Sequence, residues 1–275
     1  MIEYLIIFFM SIVVMYADLR MTAHNFGAVM NGYGSIKYVL DGAIKQPMAY
    51  RVLIPWICRD NKTNYVLVKY LSILFALLAT NLWFDSLLLT SLMAMFFVLA
   101  AIYDYTDGYL EVGFFASSFW LILYQPNYSW EILFVIVYLA ALNRETSVFI
   151  PICAFLSGDV ILSMILFTSF LIGYGLPRIY YGRRERYCEF NMIPKNIKRI
   201  KEAFKTGMML REYILFFMLT LVICIAPFIG HIYIPFEIGM YIMFIVLLVP
   251  TVWAEIRVFK PVMLVVIPMI AKGVI

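Results

Sequence analysis

Apolar runs long enough to cross a bilayer follow one another along almost the whole chain, and this succession limits the fold more than any other feature. A hydrocarbon core takes roughly 20 apolar residues per helical crossing. Of the 275 residues, 64% are hydrophobic and only 14% are charged, whereas soluble domains carry about a quarter charged residues. A soluble helical protein could not cover that much apolar surface. The chain therefore reads as an integral membrane protein with the bilayer as its first partner. Its net charge of +4 is modest, and no nucleic-acid partner is expected.

Spans are expected at about 2–17, 64–84, 86–103, 109–125, 130–142, 147–157, 159–176, 212–229, 232–250 and 260–272. They form an all-α polytopic bundle of about 9–10 crossings, in one transmembrane domain over residues 1–275. The first run has no basic start and no small-residue cleavage site, so it reads as a retained span. The runs 130–142 and 147–157 are too short for two full crossings at 1.5 Å per residue. They are tilted helices or a re-entrant hairpin, and either returns the chain to the side it left. No internal repeat of the secondary-transporter kind is present.

Alternating crossings place 18–63, 104–108, 143–146, 177–211 and 251–259 on one side. The other side receives only short joints near Asp85, Gln125 to Ser129, Gly158 and Gly230. All basic residues except Lys272 fall on or beside the first side, which gives the protein one working face. Two segments of that face have their own pattern. In the first long loop, 18–63, Ile36, Val39 and Leu40 with Lys37 and Asp41 point to a short interfacial helix. In the basic loop, 177–211, Ile197, Ile200, Phe204 and Met208 line one side of 194–208. Lys195, Lys198, Arg199, Lys201 and Lys205 line the others, as in a surface helix with snorkelling lysines. Pro194 suits its first turn.

Several polar residues on this face could carry chemistry. Asp18 stands at the exit of the first span, where a wet helix end is the plain alternative. Asp104 and Asp107 form a second acidic group beyond a span end. Acidic groups from two loops could supply a general base and a ligand for an acceptor or a divalent cation. Glu111 lies deeper in the apolar run, where an ionisable group is expensive and is functional or paired. The turn Asn143, Arg144, Glu145, Thr146 joins two apolar segments. Its Arg–Glu pair is a structural salt bridge or an anion site. Glu255 and Arg257 repeat the pairing before the last span. Arg178, Arg183, Arg184 and Arg186, interleaved with tyrosines, suit a phosphate head group whose lipid tail stays in the membrane; a solvated charge cluster is the other reading.

Other signals are sparse. Cys58, Cys153, Cys188 and Cys224 show no CxxC spacing, so no metal or redox site is indicated; Cys58 and Cys188 lie in loops where they could pair. His24 and His231 fall on opposite sides. Asn61 and Asn127 begin short glycosylation sequons of the kind that arise by chance.

Three segments together resemble a known group. Pro47, Tyr50, Arg51, Val52, Leu53 and Pro55 match the P-x-x-Y-R-V-L-x-P segment in the first long loop of a group of bacterial and archaeal multi-pass proteins. The Asn143–Thr146 turn and the segment Glu255, Arg257, Pro261 match the same group. Those proteins are similar to the GT-C superclass of membrane glycosyltransferases. The resemblance implies a sugar donor on a polyprenyl phosphate, used at the outer face of the cell membrane. It also implies a catalytic carboxylate just after the first span, where Asp18 stands. A second acidic residue follows the third span, where Asp104 or Asp107 stands, and a basic loop corresponding to 177–211 meets the lipid phosphate. The tendency of Lys and Arg to gather on the cytoplasmic side points the other way.

On this reading Asp18 is the base that activates an acceptor hydroxyl on a glycan, lipid or protein. Arg178, Arg183, Arg184 and Arg186, with Tyr50 and Arg51, Arg144 and Glu145, or Glu255 and Arg257, hold the donor. Two alternatives are a transporter or flippase for an anionic lipid-linked substrate, and a non-catalytic subunit of a glycan-assembly complex.

Overall fold

The computed structural model describes residues 2–22, 53–59, 61–100, 106–124, 129–181, 192–207, 210–249 and 256–274. These residues form twelve α-helices and no strand. In chain order they are α1 (Ile2–Thr22), α2 (Leu53–Cys58), α3 (Lys62–Phe84), α4 (Leu87–Leu99), α5 (Thr106–Tyr124) and α6 (Ser129–Asn143). There follow α7 (Phe149–Leu156), α8 (Val160–Tyr181), α9 (Ile193–Thr206), α10 (Leu210–Ile229), α11 (Ile234–Leu248) and α12 (Met263–Val274). Short 3₁₀ segments, Glu145–Val148 and Ile256–Val262, lead into α7 and α12. Four helices are long and apolar enough to cross a membrane: Ile2–Arg20 of α1, and α3, α8 and α10. Shorter apolar helices complete the bundle.

Each expected span coincides with a helix, but the ends differ. α1 continues to Thr22, so Asp18 belongs to its final turns and not to a loop beyond it. Within the expected span 86–103 the helix covers 87–99, and 101–103 lie outside the described residues. The last span begins as a 3₁₀ segment, Ile256–Val262, that contains Pro261. Asn61 of the first sequon is the N-cap of α3, accepting from the Thr63 and Asn64 amides at 2.8 and 3.3 Å, as capping residues do. Cys58 is a free, buried thiol at the end of α2 and not a loop cysteine. Its burial pushes the thiol up to about 12. The expected interfacial helix near Ile36 lies outside the described residues.

Lipid offers no hydrogen bonds, so each helix-breaking proline needs a substitute donor for the carbonyl it orphans four residues earlier. Pro268 frees the Leu264 carbonyl, which accepts from the Trp83 indole of α3 at 2.9 Å. Pro227 frees the Ile223 carbonyl, which accepts from the Tyr241 hydroxyl of α11 at 2.6 Å. Small residues set the closest approaches, as is usual between membrane helices. Ser169 of α8 donates to the Phe134 carbonyl of α6 at 2.5 Å. One turn on, Gly173 lies so near α6 that a Cβ there would sit 2.6 Å from the Tyr138 carbonyl oxygen. The first two turns of α12 are enclosed: the apolar side chains from Val262 to Met269 are buried throughout, and Ile270 is only half-buried.

Candidate functional site

Five ionisable side chains buried to 6% exposure or less gather at one end of the bundle: Asp18, Lys69, Glu111, Arg144 and Lys260. They come from the last turns of α1, the first third of α3, the start of α5, the α6–α7 joint and the segment before α12. α5 stands between them. Tyr109, in its first turn and a half, donates its hydroxyl to Asp18 Oδ2 at 2.8 Å. Asp18 Oδ1 is paired with the Lys69 ammonium. Lys260 places its ammonium 3.8 Å from the Tyr109 ring centroid and 5.0 Å from that of Phe97. Cation–π attraction of this kind is strongest where water is excluded.

Two residues further along α5, Glu111 accepts from both Arg144 and Thr146. The Arg144 partner therefore lies 33 residues away in the chain. Glu145 is half-buried at the start of the 3₁₀ turn. A buried charge is tolerated when paired and hydrogen-bonded, and both carboxylates meet that condition.

The plain expectation of a wet helix end at Asp18 is overturned: the side chain is 0% exposed. The cause is Lys69, which supplies a counter-charge within the apolar packing. Arg144 is likewise drawn inward. Arg178, near the end of α8, lies over the Tyr174 ring at 3.4 Å and donates to the Tyr174 carbonyl at 2.8 Å. Asp107 falls in the first turn of α5 and Arg257 in the 3₁₀ segment before α12, but their side chains lie outside the described set. So do Tyr50, Arg51, Asp104, Arg183, Arg184, Arg186 and Glu255.

Three members of the cluster, Lys69, Tyr109 and Lys260, were not singled out by sequence reasoning. The signal was there for the lysines, since a lone cation inside an apolar run is costly and needs a reason. Tyr109 gave none, being one tyrosine among 20. Among the described residues no three His, Cys, Asp or Glu side chains form a metal-holding group. His231 stands at the opposite end, with Nδ1 2.8 Å from the Glu237 carboxylate. Comparison of the chain with family models, with curated proteins and with solved structures gives no match.

Proposed function

We propose that the chain is a membrane glycosyltransferase of the GT-C kind, moving a sugar from a polyprenyl-phosphate donor to a hydroxyl acceptor. The observation that carries the reading is the buried set around Asp18: a carboxylate held by Lys69 and Tyr109, with Lys260 against the same tyrosine. Charged side chains inside a membrane bundle are rare and mark substrate or ion sites. An anionic lipid head group needs cations where its tail is still in lipid, and on this reading Lys69, Lys260 and Arg144 supply them. The sequence resemblance adds a carboxylate at the end of the first span.

In the proposed reaction the acceptor oxygen attacks the anomeric carbon as the carbon–oxygen bond to phosphate breaks. The bonding pair leaves with the phosphate, and the acceptor proton passes to Asp18. Lys69 has three N–H donors and can turn from the carboxylate toward a phosphate. Its transfer to the incoming phosphate would release Asp18 to act as base and would stabilise the charge that develops on the leaving group. Arg144, oriented by Glu111 and Thr146, is the second such donor.

The test uses purified protein in liposomes with a panel of radiolabelled polyprenyl-phosphate sugars, following release of polyprenyl phosphate. Release from at least one donor is expected, with a loss on the order of a hundredfold or more in Asp18→Asn, the usual scale for a positioned base. Turnover of none of the donors by folded protein would sink the reading. Full activity in Asp18→Asn would remove the base assignment alone.

A further inference from the structure

Helix α9 is built unlike the rest of the bundle. It holds five basic residues, Lys195, Lys198, Arg199, Lys201 and Lys205, and one acidic residue, Glu202. Charge spread over its whole length rules out a crossing. The helix is firmly bounded, with Pro194 in its first turn and Gly207, at φ 74°, capping its end. It is also seated. The Met192 amide donates to the Val249 carbonyl at 2.8 Å, Asn196 and Ala203 are buried, and Ala203 packs with Tyr213 of α10.

At 3.6 residues per turn, the sides of α9 follow in a fixed order. Asn196 and Ala203 face the bundle. Next comes an apolar stripe of Ile193, Ile197, Ile200 and Phe204, of which Ile197 is 46% and Phe204 67% exposed. Beyond it stand Lys198, Lys201 and Lys205, all exposed. Ile193 and Ile200 are half-buried, Ile197 and Phe204 face outward, and the lysines border the stripe on the side away from the protein. A helix lying in the plane of a bilayer surface needs this sequence of faces: apolar groups in the acyl boundary and long cationic chains reaching to head groups.

We infer that α9 is a docking surface for anionic lipid, with Ile197 and Phe204 in the membrane boundary and Lys198, Lys201 and Lys205 on acidic head groups. The occupant is the bulk lipid surface and not the substrate of the polar cluster, so the inference stands whether or not sugar transfer does. The charge complementarity is what selects acidic lipid, since the apolar stripe alone would accept any bilayer. Each basic residue near such a surface contributes roughly a fivefold gain in binding, and salt screens it.

The test is amide hydrogen exchange over 193–206 in the full chain, in nanodiscs of phosphatidylcholine alone and of phosphatidylcholine with phosphatidylglycerol. Exchange should slow on the order of tenfold or more in the acidic discs. High salt should reverse the effect, while exchange in α3 stays unchanged. The combined change Lys198→Glu, Lys201→Glu, Lys205→Glu should abolish it. The milder Lys→Gln set should do the same, in case charge reversal disturbs folding. Equal protection in both lipids, or protection that survives neutralisation, would overturn the inference. Protection that rises with protein concentration and crosslinks copies through α9 would replace lipid by a second copy of the chain.

Discussion

Replacing Lys69 by methionine keeps an unbranched stem out to Cε and removes the ammonium that faces Asp18. Both groups are almost fully buried, at 1% and 0% exposure. At an effective dielectric of about 20 and an ordinary ion-pair separation of about 2.8 Å, their attraction is about 6 kcal/mol before desolvation is counted. Desolvation offsets much of this while the pair is intact, but neither single variant escapes it. Lys69→Met leaves a buried carboxylate without its counter-ion, and Asp18→Asn leaves a buried ammonium, each at a loss of about 3–5 kcal/mol. The double variant carries no charge. The substituted amide still accepts from Tyr109, so most of the loss should return. Unfolding of the four proteins in mixed micelles closes the cycle, with a coupling energy of at least about 3 kcal/mol expected. Singles that simply add in the double would refute the pairing argument. The same four proteins separate structure from chemistry. A double variant that regains stability but not sugar transfer gives the Asp18–Lys69 pair a chemical role, and one that regains both makes the pair purely architectural.

The packing offers two sharper tests by the same unfolding measurement. A Cβ on Gly173 would meet the Tyr138 carbonyl oxygen at 2.6 Å and the Ala141 Cβ at 2.9 Å, while one on Gly175 meets nothing within 4 Å. Gly173→Ala should destabilise by about 1–3 kcal/mol and Gly175→Ala should stabilise by up to about 1 kcal/mol; effects of the same sign would contradict the close α6–α8 approach. Tyr241→Phe strips the donor from the Ile223 carbonyl, a loss of about 1–3 kcal/mol. In a Pro227→Ala background, where residue 227 regains its own N–H, the same change should be nearly silent.

The helical pattern was readable because apolar runs of membrane length leave few alternatives. Even the short pair 130–142 and 147–157 appears as two helices, α6 and α7, joined by a 3₁₀ turn. Less readable was anything decided by pairing across the bundle. Asp18 and Glu111 stand out in sequence as acids near span ends. Their partners come from helices whose rotation no local pattern reports: Lys69 lies 51 positions later than Asp18, and Arg144 follows Glu111 by 33. The Arg144–Glu145 adjacency gave no hint of the Glu111 partner. Helix ends drifted for a similar reason. The hydropathy boundary near residue 17 marks where apolar side chains stop, whereas α1 continues to Thr22 because Lys69 and Tyr109 receive Asp18 inside the protein.

The burial of the first turns of α12 has a consequence for biosynthesis. This segment leaves the ribosome after α1 to α11, yet Val262, Leu264, Val265, Val266 and Met269 are wholly enclosed by helices made before it. Until it arrives, the faces of the earlier helices that pack on it are uncovered. Until then the Trp83 indole has no Leu264 carbonyl to hold, and Tyr109 has no Lys260 beside its ring. A chain that stops before residue 256 would thus carry all four long apolar helices but lack this packing and the Lys260 contact that completes the charge cluster.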